Sequence, residues 1–123
     1  MTLTLISRSA DLRRAEPSLH DIERQLTPIA PEHLKRIVLR LMMHFRCPPE
    51  AKQHRIFAEY MEKLGGFPED LICAAYHHAL ASHISPALPG TGELIAFMEP
   101  EMLHRNTCRR RLELLEQEEA AGT

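Results

Sequence analysis

The chain is 123 residues long, enough for one domain with a hydrophobic core that needs no metal or disulfide support. Lys plus Arg total 15 against 17 for Asp plus Glu, a formal net charge of −2, which argues against a wholesale nucleic-acid coat or a cationic membrane binder and leaves only weak, local contact of that kind. Apolar residues make up 44% and Trp is absent, so Leu, Ile, Met and Ala must fill the core, a composition that favours helices over sheets.

Residues 1–17 mix Thr, Ser and Arg with few apolar positions and end in Glu16-Pro17, the composition of a flexible lead-in. The start, MTLTLISRSADLRR, has neither the apolar run nor the preceding basic region of a signal peptide, and the three cysteines are odd in number and widely spaced. A reducing, cytoplasmic setting is expected. No apolar run approaches the roughly 20 residues that span a bilayer, so no membrane segment is expected.

Ser18 with Asp21 three residues on resembles a capping box, and Leu19, Ile22 and Leu26 give a short apolar face, which predicts a helix of about two turns. Thr27-Pro28 and Ala30-Pro31 end it. From Pro31, Leu34, Ile37, Val38, Leu41, Met42 and Phe45 recur at helical spacing with Lys35, Arg36 and Arg40 between them, predicting a helix that lies across the core. Cys47-Pro48-Pro49 stops that helix, because the residue before a proline is pushed out of helical geometry. A third helix begins near Pro49 or Glu50, places Ile56, Phe57, Tyr60, Met61 and Leu64 on one face, and closes at Gly65.

Gly65 to Met98 is the stretch around which the chain is organised. Pro68 opens a helix with an apolar stripe of Leu71, Ile72, Ala75, Tyr76, Ala79 and Leu80; Ser85-Pro86 ends it and Pro89-Gly90 turns the chain. Thr91 is the expected N-cap of a further helix carrying Leu94, Ile95, Phe97 and Met98. Glu99-Pro100 interrupts this pattern, and a new helix starting at Pro100 is preferred over a kink. Its later residues, Leu112, Leu114 and Leu115 beside Arg105, Arg109, Arg110 and Arg111, form too sparse a stripe for core packing alone. Glu113, Glu116, Glu118 and Glu119 then oppose the helix dipole, so fraying is expected after Leu115. The expected fold is all-α: a compact single-domain bundle of five to six helices, with residues 18–117 as the helical domain and 118–123 as a frayed tail. Its core should include Leu34, Ile37, Val38, Leu41, Phe45, Phe57, Met61, Leu64, Leu71, Ile72, Ala75 and Leu94.

Few residues suggest chemistry. His44 with Cys47 and His104 with Cys108 stand three and four apart and could each supply half of a tetrahedral zinc site, but CxxC pairs are missing and Cys47 sits at a helix end. The bland reading, surface histidines and partly buried cysteines, is preferred, and no metal or other cofactor is expected. Cys73 and His77 have the spacing of a thiol and its base, yet Cys73 lies among Ile72, Ala74 and Ala75 on a core stripe. Neither Gly65-Gly66 nor Gly90-Thr91-Gly92 is followed by the Lys-Ser or Lys-Thr of a phosphate-binding loop. No catalytic residue is assigned, and the chain is expected not to be an enzyme. The run Arg109 to Arg111 can grip an acidic partner surface or phosphate, or pair with Glu113 and Glu116 one turn away.

Tyr60-Met61-Glu62-Lys63-Leu64, then Phe67-Pro68-Glu69-Asp70-Leu71-Ile72-Cys73-Ala74, then Leu88-Pro89-Gly90-Thr91-Gly92-Glu93-Leu94 form a pattern that resembles the small helical domain of phage-type replicative-helicase loaders and replisome organisers. The likeness covers roughly residues 34–115, with Leu88 where that family carries an aromatic residue and Ile84-Ser85-Pro86-Ala87 intervening before the corner. It implies a non-enzymatic protein that binds the hexameric replicative helicase and delivers it to, or withholds it from, DNA. The expected partner-binding residues are Arg105, Arg109, Arg110, Leu112 and Leu115. The alternatives are a small regulatory module with an apolar groove for a peptide or small ligand and, from another class, a thiol- or zinc-dependent enzyme.

Overall fold

A computed structural model describes residues 18–47, 49–83 and 85–122. The expected lead-in, residues 1–17, lies outside the described residues, as does Thr123 of the expected tail. Five helices account for most of the remainder: α1 (Leu19–Gln25), α2 (Pro31–His44), α3 (Glu50–Leu64), α4 (Glu69–Ser82) and α5 (Thr91–Gly122). The fold is all-α, as expected, and the described residues contain no strand beyond one isolated parallel bridge between Arg46 and Ala87.

Local chemistry explains the boundaries. At α1 the capping box forms in both directions, Asp21 N–H donating to Ser18 Oγ and Ser18 N–H to the Asp21 carboxylate, each at 3.2 Å. Pro31 occupies the first position of α2, where its missing N–H costs nothing. Gly65 follows α3 because its backbone runs close to the preceding turn: a Cβ there would stand 2.8 Å from the Met61 carbonyl oxygen.

α2 packs on α3 and α4, and α5 packs on the same two helices, so the four form a closed cycle around one core; α1 lies outside it, against α5. The core holds Leu34, Val38 and Leu41 from α2, Tyr60 and Leu64 from α3, Leu71, Ile72, Ala75 and Ala79 from α4, and Leu94 and Met98 from α5. Four residues expected there, Ile37, Phe45, Phe57 and Met61, are half-buried and flank the cluster. Tyr60, Ala79 and Met98, each on an apolar stripe of its helix, are buried in the cluster instead.

The loops after α2 and α4 are stitched together. Arg46 N–H donates to the Pro86 carbonyl at 2.7 Å and Leu88 N–H donates to the Arg46 carbonyl at 3.2 Å. The buried Tyr60 hydroxyl donates to the Pro89 carbonyl, fixing the α4–α5 corner to α3, and burial pushes the phenol up to about 12, so it keeps its proton.

The start of a new helix at Pro100 is a correction: α5 runs unbroken from Thr91 to Gly122 with Pro100 inside it. A proline removes one backbone donor, and both Pro100 and Ala96, whose carbonyl loses its partner, are exposed, so water can satisfy that oxygen. Helix also continues past Leu115, where fraying is expected. The last turns are Leu, Glu, Gln and Ala, all strong helix formers, and helix continues to Gly122 despite the unfavourable dipole.

Candidate docking helix

The sequence places five partner-binding candidates on α5, and the structure divides them. Arg105 is only 7% exposed and belongs to the fold, which corrects its assignment as a gripping residue. Its guanidinium donates to both carboxylate oxygens of Asp70, at 3.0 and 2.5 Å, to Glu101 at 3.2 Å, and to the Gln25 carbonyl at 2.8 Å. One side chain thereby ties α5 to the first turn of α4 and to the C-terminal end of α1, where a cation also meets the negative end of the helix dipole. The hydrogen bonds that Arg105 donates hold the Asp70 carboxyl below its usual range, and their acceptance by Asp70 raises the guanidinium further. Nothing in the sequence pairs Asp70 with Arg105, since the bond spans 35 positions.

Arg109 and Arg110 are exposed, as expected of docking residues, and Arg109 Nε stands 3.8 Å from Glu113, a loose pair within the helix. Leu112 is half-buried, whereas Leu115 is 54% and Leu114 51% exposed. Every residue from Glu113 to Gly122 is exposed, a stretch of about 15 Å of helix. Leu103, 69% exposed, extends the uncovered apolar surface one turn back past the arginines.

The other candidates resolve differently. Cys108 Sγ lies 3.7 Å from His104 Nε2, so that pair does meet on one helix face. The Cys47 thiol donates to the Met42 carbonyl at 3.1 Å, and burial pushes it up. Burial, followed by Glu69 and Asp70, also raises the Cys73 thiol, the reverse of what a nucleophile requires. Among the described residues no group of three or more His, Cys, Asp or Glu side chains could hold a metal ion. No described helix is long and apolar enough to cross a membrane.

Two features were not anticipated. An open cleft of about 560 Å³ lies between α3 and the α4–α5 corner, lined by Arg46, Cys47, Ile56, Tyr60, Leu88 and Thr91 among others. Beside that corner, His83 uses both ring nitrogens, Nδ1 at 3.0 Å from Glu93 and Nε2 at 2.7 Å from the Ala87 carbonyl. Both ring nitrogens face acceptors, an arrangement that favours the doubly protonated ring, and the hydrogen bond to Glu93 raises its pKa above the ordinary value. The i, i+10 distance between His83 and Glu93 across two prolines hid this pair from any reading by periodicity.

The class defined by fold and surface is an all-α bundle with one long helix exposed along its last turns. No protein-family model, curated protein or solved structure matches this chain.

Proposed function

We propose that the chain is a non-enzymatic protein-binding module that docks through α5 on a larger assembly. The observation that carries this reading is a helix that leaves the bundle with Leu103, Leu114 and Leu115 uncovered beside Arg109, Arg110 and Arg111, all exposed. Apolar side chains in this setting contribute buried area to a partner, while the arginines contribute orientation and salt sensitivity. The sequence resemblance implies that the partner is the replicative DNA helicase and the role that of loader or inhibitor. The binding set is then Arg109, Arg110, Leu112 and Leu115, with Arg105 beneath it as a structural residue. Titrating a purified hexameric replicative helicase with the protein tests the reading, with saturable binding expected at low salt and progressive loss as salt rises.

A second reading rests on the cleft. Its apolar floor of Ile56 and Leu88, with Arg46 at the edge, suits a peptide or small ligand with an apolar body, and makes the protein a regulatory adaptor. Amide shifts confined to Gly90, Thr91 and Gly92 on adding short apolar peptides would favour it over α5 docking.

A further inference from the structure

The cleft between α3 and the α4–α5 corner has more than an apolar floor. Helix α5 begins in it, with Gly90, Thr91 and Gly92 among the lining residues. Leu94 N–H donates to the Gly90 carbonyl at 3.3 Å and closes the first turn, which leaves the N–H groups of Thr91, Gly92 and Glu93 without an acceptor among the described residues. Neither glycine is required by the fold. No described glycine has a positive φ, and a Cβ at Gly90 or Gly92 would meet nothing within 4 Å. Their missing side chains leave the start of the helix open to close approach.

Two side chains add donors at the same place. Thr91 is only 8% exposed, yet its hydroxyl has no hydrogen-bond partner among the described residues. Every described side-chain polar atom that is sealed from solvent has a partner, so this hydroxyl reaches solvent, and it does so in the cleft that Thr91 lines. Arg46 is tied through its backbone to Pro86 and Leu88, and its guanidinium, on the cleft wall, pairs with no described carboxylate.

We propose that the cleft takes the C-terminal carboxylate of a peptide whose last side chain is apolar. The inference rests on the cleft reading above and not on docking through α5. The carboxylate accepts from the free N–H groups and the Thr91 hydroxyl at the positive end of α5, with Arg46 as its counter-ion. Ile56 and Leu88 cover the last side chain, and about 560 Å³ of open space fits a short peptide end. Two acids stand near. Glu93, in the first turn, is turned to His83 at 3.0 Å, while Glu59 lines the cleft and has only a loose 3.9 Å pair with Lys63. One carboxylate beside one arginine suits a singly charged ligand better than a doubly charged phosphate, and Glu59 can accept from a peptide N–H, which a fatty acid lacks.

Titrating the isotope-labelled whole chain with a short N-acetylated peptide ending in leucine, as the free acid and as the C-terminal amide, tests this by amide shifts. The acid should bind about tenfold more tightly than the amide and move the signals of Thr91, Gly92 and Glu93 furthest. Arg46→Gln, at an exposed position, should remove most of that preference. Thr91→Val should reduce it with the melting temperature no lower, because the hydroxyl it removes has no partner in the fold. Both variants should bind the amide as the wild type does. Equal affinity for acid and amide, or a preference that survives both substitutions, overturns the carboxylate assignment and leaves the apolar cleft standing. No shift at Gly90, Thr91 or Gly92 with either peptide overturns the cleft reading and this inference with it. Octanoate that binds as tightly as the acid peptide overturns the choice of a peptide.

Discussion

Replacing Arg105 by Ala separates a structural arginine from a docking one. The side chain makes four hydrogen bonds, two to Asp70 and one each to Glu101 and the Gln25 carbonyl, from a site only 7% exposed. A fully buried ion pair broken on one side loses about 3–5 kcal/mol, but the Asp70 side chain is 63% exposed and can rehydrate, as can Glu101. The remaining terms are the charge-assisted bond to the end of α1 and the packing of the arginine stem, which together set the expected loss at about 2 kcal/mol. For a domain of this size that lowers the melting temperature by about 10 °C. Arg105→Lys should recover only part of it, because an ammonium cannot make the paired contact to both Asp70 oxygens.

Urea denaturation followed by helical dichroism reads the effect, and the double variant R105A/D70A gives the coupling. The sign with pH follows from Asp70, whose folded pKa lies below the ordinary 3.8. Its contribution is fully present above that value and disappears as pH falls through the lowered folded value, so wild type and R105A should converge in acid. A loss under about 0.5 kcal/mol, coupled with weakened partner binding, would return Arg105 to the docking surface and refute this reasoning.

Leu41, 1% exposed at the centre of α2, should cost about 2–5 kcal/mol when cut to Ala, measured by the same denaturation assay. His83 gains its partners on folding and its pKa is raised, so its stabilising contribution is complete below the ordinary 6.5 and is lost as pH rises through the folded value. A ring-proton titration by nuclear magnetic resonance should place its midpoint above the ordinary value and find it lowered in Glu93→Gln. Single Ser or Ala replacements of Cys47, Cys73 and Cys108, and treatment with a chelator, should leave partner binding intact. Stoichiometric zinc that disappears with His104→Ala would establish the His104–Cys108 pair as a ligand set instead.

The helices were legible where one physical signal dominates. Pro31, the Ser18–Asp21 box and Gly65 punctuate the chain by their own chemistry, and the period of Leu34, Val38 and Leu41 points to one buried face whatever lies against it. Pro100 misled because proline ordinarily breaks a helix at a cost of about 3 kcal/mol, and that the helix continues here, with the orphaned Ala96 carbonyl on a solvated face, depends on how α5 packs. Arg105 misled for a related reason: four arginines within seven positions look alike along the chain, and only the approach of Asp70 and the end of α1 removes one from the surface. Leu39 and Met43 lie off the core stripe at a spacing of four and could have been recognised as an outward pair. The cleft could not, since its walls are brought together by the Arg46–Ala87 bridge and the Tyr60–Pro89 hydrogen bond.

The central claim is that α5 is a docking helix whose exposed arginines, not Arg105, orient a protein partner. Measuring the affinity of the wild-type chain and of R109E/R110E for a purified hexameric replicative helicase at low salt addresses it directly. The account predicts saturable wild-type binding, weakened at least tenfold by the double reversal, or about 1.4 kcal/mol, with the melting temperature nearly unchanged. Equal affinity of the two proteins would contradict it, and so would a wild-type chain that fails to bind.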